Sequence, residues 1–545
     1  MIPEHPITYW FSNAILNSFQ SNPTLGDVVE LKAGISTGNN EVFQRRWQEV
    51  SYKSISFNTR YTGLPVSSTL RWFPCRTGGE FIRWANKKEL VIDWESNGER
   101  VRNYRNTSGK IASAPRNMEY YFREGISWNK LSSSKFGAKY AEPGSIFDDT
   151  SRTMFVRNEH LLYSVLGLLN SKVAFWILQG LNPSMSFTNG DLRRIPLQKD
   201  IPNAIAPLVD QCVKIVGSYI DKTEDSWLFG SDILLEHIED HARNWTIEAA
   251  YNQWAQEAAD RFNQLKTNEE ELNRIFIDLY GLQDELTPEV ADKDVSVRKA
   301  DLPRDIKAFL SYFIGVVFGR YSLDVPGLAF AGGEWHASKY QTFEPNTDDL
   351  ILLTDEDYFG DQRDIINRLK EFLTVTFGAE HLSENLRFIA DASGRKGATP
   401  EEQIRKYFLD DFYKNDHLST YQKRPIYWQL SSGRQGGFRA LMYLHRYDEN
   451  TLAMVRTSYL HPLQEAYGNR RTQLKNMIEV EANTKQRNAM TKQVAKLDKQ
   501  LDEITKYDIS LQHVANMHIK LDLDDGVLVN HEKVQGGQKL LDPLK

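Results

Sequence analysis

A chain of 545 residues with 41% hydrophobic and 26% charged side chains carries enough apolar material for several buried cores, which excludes a disordered or collagen-like protein. Its formal net charge of −7 excludes a protein coated over its whole surface with nucleic acid. The two cysteines, Cys75 and Cys212, form no CxxC pair and have no histidine nearby, so no zinc site is expected and a cytoplasmic protein with free thiols is.

The N-terminal "MIPEHPITYWFSNAI" lacks the basic, apolar and small-residue succession of a signal peptide. Residues 32–43, "KAGISTGNNEVF", set two glycines, two hydroxyls and two amides between apolar flanks. Gly34 and Gly38 are expected to supply positive φ there, with Asn39 capping the next element. Short β-like runs, "GDVVEL", "ELVIDW" and "GSIF", alternate with Gly, Pro, Asn and Ser turns up to about residue 196, which predicts a mixed α/β domain. One buried helix over residues 159–178 closes it.

Between residues 71 and 140 the charge balance reverses, with 14 Lys and Arg against 7 Asp and Glu and 12 aromatic residues interleaved. Lysine and arginine bind phosphates by charge, while Arg, Asn and Ser read base edges. In "NYRNTSGKIASAPRN" and "SWNKLSSSKFGAKY" these side chains alternate with small residues that let backbone approach DNA. A solvated surface over an aromatic core explains the same composition.

Helical patterns follow over residues 205–220 and 232–278, with an N-cap region expected at Thr267 and a C-terminal stop at Gly281. The apolar run "AFLSYFIGVVFG" is too short to span a bilayer and reads as a buried helix. Further on, "KRPIYWQLSSGRQGGFRALMYLHRYD" predicts strand, glycine turn, strand. In residues 459–507, Leu474, Met477, Ile478, Val494, Leu497, Leu501 and Ile504 recur at three- or four-residue steps, the pattern of a pair of long amphipathic helices or a coiled-coil hairpin.

No motif for methyl transfer appears. Asn182-Pro183 and Asn22-Pro23 lack the second proline and the ring of a base-holding Asn-Pro-Pro-aromatic turn. A glycine-rich strand-to-helix turn for S-adenosylmethionine, Walker A, GxSxG and HExxH are likewise missing. "SSGRQGGF" has no Gly-Lys-Ser/Thr to grip a phosphate and reads as a β-turn. The acidic stretches "DDFYKND" and "DEDYFGDQRD" read as solvated faces rather than a metal-binding nuclease site.

"LKAGISTGNNEVF" resembles the start of target-recognition domains in adenine-specific DNA methyltransferases and restriction specificity subunits, and "LLYSVLGLLNSKVAFWILQGLNPSMSFTNGDLRRIPL" resembles their close. Between them, "WFPCRTGGEFIRWANKKELVIDWESNGERVRN" and "EYYFREGISWNKLSSSKFGAKYAEPGSIFD" look like one family, the PglX methyltransferases of BREX phage-defence systems. So do "NEEELNRIFIDLYGLQDELTPEV", "YQKRPIYWQLSSGRQGGFRALMYLHRYDENTLAMVRTSYLHPLQ" and "LDLDDGVLVN". The resemblance implies the C-terminal half of such an enzyme: an α+β multidomain chain with a mixed α/β target-recognition domain at residues 1–200. A helical domain at 201–345 and a C-terminal α/β and helical-hairpin domain at 346–545 complete it. Family members carry their catalytic domain ahead of this region, so Met1 is read either as the start of a split gene or as the edge of an expressed fragment.

Sequence-specific recognition of double-stranded DNA is the function implied, with no catalytic, cofactor or metal residue in this chain. S-adenosylmethionine would belong to an associated methyltransferase catalytic domain, on the same longer chain or a separate subunit. Other BREX components are the remaining partners, and no membrane is expected. The DNA-binding set comprises Gly34, Ser36, Thr37, Gly38, Asn39 and Asn40 with Arg76, Lys87, Lys88, Arg102, Arg105, Lys110, Arg116, Lys130, Ser132, Ser133 and Lys135. The alternatives are an interaction scaffold for a defence complex, or an enzyme with an unrecognised nuclease or transferase site.

Overall fold

The computed structural model describes residues 11–60, 70–132, 135–184, 186–236 and 245–544. Ser133 lies outside them, as does Met185 beside the Asn182-Pro183 turn. The chain forms two compact units: Met1–Trp47, Ser54–Leu228 and Ala255–Ala300 make the first, and Gln48–Lys53, Phe229–Trp254 and Asp301–Lys545 the second.

The first unit is built on a five-stranded sheet. Val29–Lys32, Ser151–Val156, Gly125–Asn129 and Ala138–Ala141 pair antiparallel in that order, and Trp84–Ala85 adds a parallel edge. Successive side chains of a strand point to opposite faces, and here each face has its own core. Met154 packs with the helices Leu162–Asn170 and Ile205–Asp221, through Val165, Leu166, Val209 and Cys212. Its neighbour Phe155 joins a second core of Phe73, Ile92, Trp94, Tyr121 and Phe147. Burial of side chains of this size contributes about 1.5–3 kcal/mol each.

That second core is closed by a four-stranded sheet of Gln44–Arg46, Leu90–Asp93, Trp72–Arg76 and Ile146–Phe147, the last two parallel. The β-like runs of the sequence therefore supply strands of both sheets.

Three expectations need correction. The helix expected over residues 159–178 is two, with Lys172–Leu181 bent 69° from the helix before it. Ser171 makes the break: its hydroxyl accepts the Ala174 N–H and donates to the Leu168 carbonyl, side-chain bonds that compete with a continuous helix. Thr267 is no cap, because the helix Ile247–Tyr280 runs straight through it, although Gly281 at φ +66° does end that helix. Residues 237–244 of the helical pattern lie outside the described residues, and 232–236 form turns.

The second unit packs helices around a three-stranded antiparallel sheet, Leu350–Leu352, Arg439–Tyr443 and Tyr427–Ser431. The strand–glycine turn–strand pattern is thus realised, with Trp428 opposite Met442. The apolar run lies in the buried helix Leu302–Val317. His461–Val480 and Thr484–Ala515 make the long helical hairpin. Its helices are antiparallel, joined by Arg471–Asp498 at 3.1 Å and a His461–Asp508 contact at 3.1 Å, and Leu474, Val494, Leu497 and Ile504 form its buried seam. Met477, near the hairpin turn, is exposed.

Among the described residues no single helix is long and apolar enough to cross a membrane.

Candidate nucleic-acid interface

The opening loop follows the strand Val29–Lys32 and is fixed by backbone bonds on both sides. The Ile35 N–H donates to the Phe147 carbonyl at 3.0 Å, and Ser36 exchanges N–H···O bonds with Ala114 at 3.0 and 2.7 Å. Gly34 is required by close approach and not by positive φ, contrary to expectation, since a Cβ there would sit 1.9 Å from the Phe147 carbonyl oxygen. Gly38 does adopt φ +76°, with Ala112 packed against it. Asn39 precedes the short helix Asn40–Phe43 without a side-chain cap; its amide donates instead to the Tyr104 hydroxyl at 3.2 Å. Thr37 is buried and donates to the Asn40 side-chain oxygen.

The Asp149 N–H donates to the Ile35 carbonyl at 3.0 Å, while Ser36 and Asn39 bond to one excursion, residues 102–116. Val101 anchors its base in the second core, and Tyr104 stacks edge-on against Phe43 with ring centroids 5.1 Å apart. Beyond Tyr104 the chain forms a small finger, closed by the Arg105–Ile111 bridge and the Ala112 N–H to Tyr104 carbonyl bond. The Asn106 side-chain oxygen collects the Ser108 N–H, the Ser108 hydroxyl and the Lys110 N–H within 3.1 Å. These bonds hold the tip in one shape while residues 105–111 are all exposed.

Four of the selected cations sit on this excursion. Arg102, Arg105, Lys110 and Arg116 are exposed. Among the described residues Arg105 reaches only the Gly109 carbonyl, and Arg116 lies 3.8 Å from Asp149. Arg102 and Lys110 have no side-chain partner among the described residues. A preorganised projection with unneutralised cations suits phosphate contact, because little side-chain and loop entropy remains to be lost on binding.

The other selected residues are placed differently. Lys130 pairs with Asp149 at 3.0 Å and Lys135 with Asp294 at 2.5 Å. The Ser132 hydroxyl donates to the Lys135 carbonyl. Arg76 is only 5% exposed, at the end of the strand Trp72–Arg76. Lys87 and Lys88 share a recess with it and pair with Glu80 at 3.2 Å and Asp221 at 2.9 Å. The loop and the finger are brought together; of the remaining cations Lys130 shares the Asp149 carboxylate with Arg116, whereas Arg76, Lys87, Lys88 and Lys135 bond elsewhere.

Sequence reasoning passed over Lys32 and Arg123, which lie over the Tyr120 ring at 4.3 and 5.0 Å. Lys32 directly precedes the loop, the one signal that could have found it. It also missed the buried pair Arg83–Glu269 at 2.8 Å, where Glu269 accepts the Trp84 indole N–H as well. Burial raises the Glu269 carboxyl's pKa, partly offset by the neighbouring Arg83 charge.

The glycine-rich loop of the second unit is occupied by its own chain. Glu503 accepts from the Ser432 hydroxyl and from the Gln435 and Gly437 N–H groups at 2.8–3.1 Å. Donors already taken by a carboxylate do not fit a phosphate or a nucleotide-like cofactor, so S-adenosylmethionine has no cradle in this loop. Among the described residues no cluster of three or more His, Cys, Asp or Glu is arranged for a metal ion.

No family model matches the chain. Two curated proteins do, however, along its whole length. The sequence is 54% identical over 546 residues to the adenine-specific methyltransferase PglX of Lacticaseibacillus casei (strain Zhang), covering 100% of this chain and 45% of that protein. It is 33% identical over 566 residues to the adenine-specific methyltransferase BrxX of Escherichia coli O9:H4 (strain HS), covering 98% of this chain and 44% of that one. The chain matches PglX-type adenine-specific methyltransferases. It spans less than half the length of either relative.

Proposed function

We propose that this chain is the DNA-specificity portion of an adenine-N6 methyltransferase acting in BREX phage defence. The observation that carries the reading is the exposed basic finger fastened to the opening loop, in a chain similar from end to end to adenine-specific methyltransferases. Cations of the finger would hold backbone phosphates, and the exposed Asn106, Thr107 and Ser108 would meet base edges. Residues 1–200 are the recognition domain in this reading.

Methyl transfer would fall to a catalytic domain elsewhere on a longer chain or on a second subunit, which would bind S-adenosylmethionine and receive the flipped adenine. The glycine-rich loop closed by Glu503 does not fit that cofactor, and no chemical step is assigned to the described residues. A single recognition domain without two-fold repetition selects a non-palindromic site, so one strand would be modified.

The test is a genome-wide map of N6-methyladenine in cells making this chain, a matching catalytic portion, or both. Methylation at one asymmetric motif only when both are present is the expected result. Methylation by this chain alone would overturn the division of labour, and methylation by the catalytic portion alone at the same motif would remove the specificity role.

A further inference from the structure

The recess around Arg76 has a different character from the finger. It is a cavity of about 100 Å³ within the first unit, with Arg76, Lys87, Lys88, Ser145, Tyr140 and Trp227 in its wall. The Arg76 guanidinium donates through Nη1 to the Glu142 carbonyl at 3.0 Å and the Ser145 hydroxyl at 2.6 Å. Its other edge is unused: Nε and Nη2 are both buried and have no hydrogen-bond partner among the described residues. Those two N–H groups form the side-on fork that arginine uses for bidentate contact with an oxyanion.

A buried donor left unmet costs about 1–3 kcal/mol, and more when charged. No carboxylate among the described residues lies within ion-pair distance of Arg76, whereas the rim lysines do have acidic neighbours: Glu80 for Lys87, and Asp221 with Glu142 for Lys88. An ammonium has three donors, so each lysine keeps capacity for a further acceptor. Burial, opposed only by Cys75 and Glu142, pulls the Arg76 pKa down to about 10. The adjacent buried Lys139 falls to about 8, from burial first and then from the charge of Lys87. Burial is the first cause of both shifts.

We propose that this recess is a binding site for one phosphate-type oxyanion, held bidentately by Arg76 Nε and Nη2 with Lys87 supplying charge at the rim. The site is separate from the finger and does not depend on the DNA reading. Its oxyanion comes either from a free phosphate compound or from a nucleic-acid backbone.

Titration of the full chain with inorganic phosphate, followed by 31P NMR in chloride buffer at fixed ionic strength, tests this. Saturable broadening is expected, with the apparent Kd raised at least tenfold in Arg76→Lys, which keeps the charge and loses the fork. Circular dichroism establishes whether that variant folds. If it does not, Lys87→Gln serves in its place, with a several-fold weakening expected. Broadening that never saturates, or a Kd unchanged in the folded variant, overturns the proposal. In a final arm a DNA duplex is added to the phosphate-saturated chain: displacement of phosphate identifies a backbone phosphate as the occupant, and simultaneous binding identifies a free phosphate compound.

Discussion

Two glycine-rich loops in this chain look alike on paper and have opposite fates. In "SSGRQGGF" the donors of the turn converge on the Glu503 carboxylate of the long hairpin. In "KAGISTGNN" the backbone is taken up by Phe147 and Ala114, and what emerges is a neighbouring finger with exposed cations. A glycine loop's capacity to bind is therefore decided by what the rest of the fold places against it. A loop filled by its own carboxylate is a structural clasp; one clasped by backbone becomes the footing for something else.

The first loop is most vulnerable at Gly34. A Cβ 1.9 Å from the Phe147 carbonyl oxygen cannot be relieved by side-chain rotation, so the loop must leave the strand. Gly34→Ala is expected to cost about 3 kcal/mol by the ordinary penalty of overpacking, seen as a lower urea midpoint together with abolished DNA binding. Gly38→Ala would also strain the loop, because φ +76° disfavours a Cβ.

The second loop breaks at the carboxylate. Glu503→Ala strands two backbone N–H groups and a hydroxyl, an expected destabilisation of about 2 kcal/mol. Glu503→Gln keeps an acceptor and should recover part of it. If both variants unfold at the wild-type urea concentration, the clasp contributes nothing.

How much of this was legible in the sequence follows from the range of each interaction. Strand runs such as "ELVIDW" and the seam of the long hairpin were readable because alternation and three-to-four spacing are local properties. The split at Ser171 was not, since its hydroxyl's choice between capping and solvent depends on a few bonds. Arg76 and Arg105 are the same residue type in the same basic window, and only strand pairing decides that one is buried and the other exposed. The finger was marked by composition, yet its attachment through Ala114 to Ser36, 78 positions earlier, is a long-range pairing that no local pattern carries.

A contrast within the second unit sharpens its acid response. His417 and His445 have their pKa lowered from 6.5 to about 3, by burial and then by the Arg320 charge. The unfolded chain binds these protons first, so their stabilising contribution is complete above pH 6.5 and is lost as pH falls towards 3. Each should cost about 2 kcal/mol by pH 5. Asp349 runs the other way: burial pushes it from 3.8 up to about 7, so its contribution is complete below 3.8 and is lost as pH rises through 7. His531 is lowered as well, from 6.5 to about 4 by burial, so the histidine losses outweigh the Asp349 gain and wild type should lose stability as pH falls from 7 to 5. Asp349→Asn should steepen the acid loss in urea unfolding, and an unchanged profile would show that Asp349 does not titrate there.

The gentlest effects on stability belong to the finger, and these variants decide its role. Arg102→Ala and Lys110→Ala remove exposed side chains with no partner among the described residues, so stability should move by less than about 0.5 kcal/mol. Duplex affinity should fall for every sequence alike, with the slope of log K against log salt reduced by about 0.9 for each phosphate that the variant no longer neutralises. Lys135→Ala is the matched control, because its ammonium is already held by Asp294: it should leave the salt slope untouched. A finger variant that changes which sequence is preferred, at constant slope, would instead mark that residue as a reader of bases. Equal slopes for all three variants would mean that the finger does not meet phosphate, and the specificity role would have to rest on another surface of the first unit.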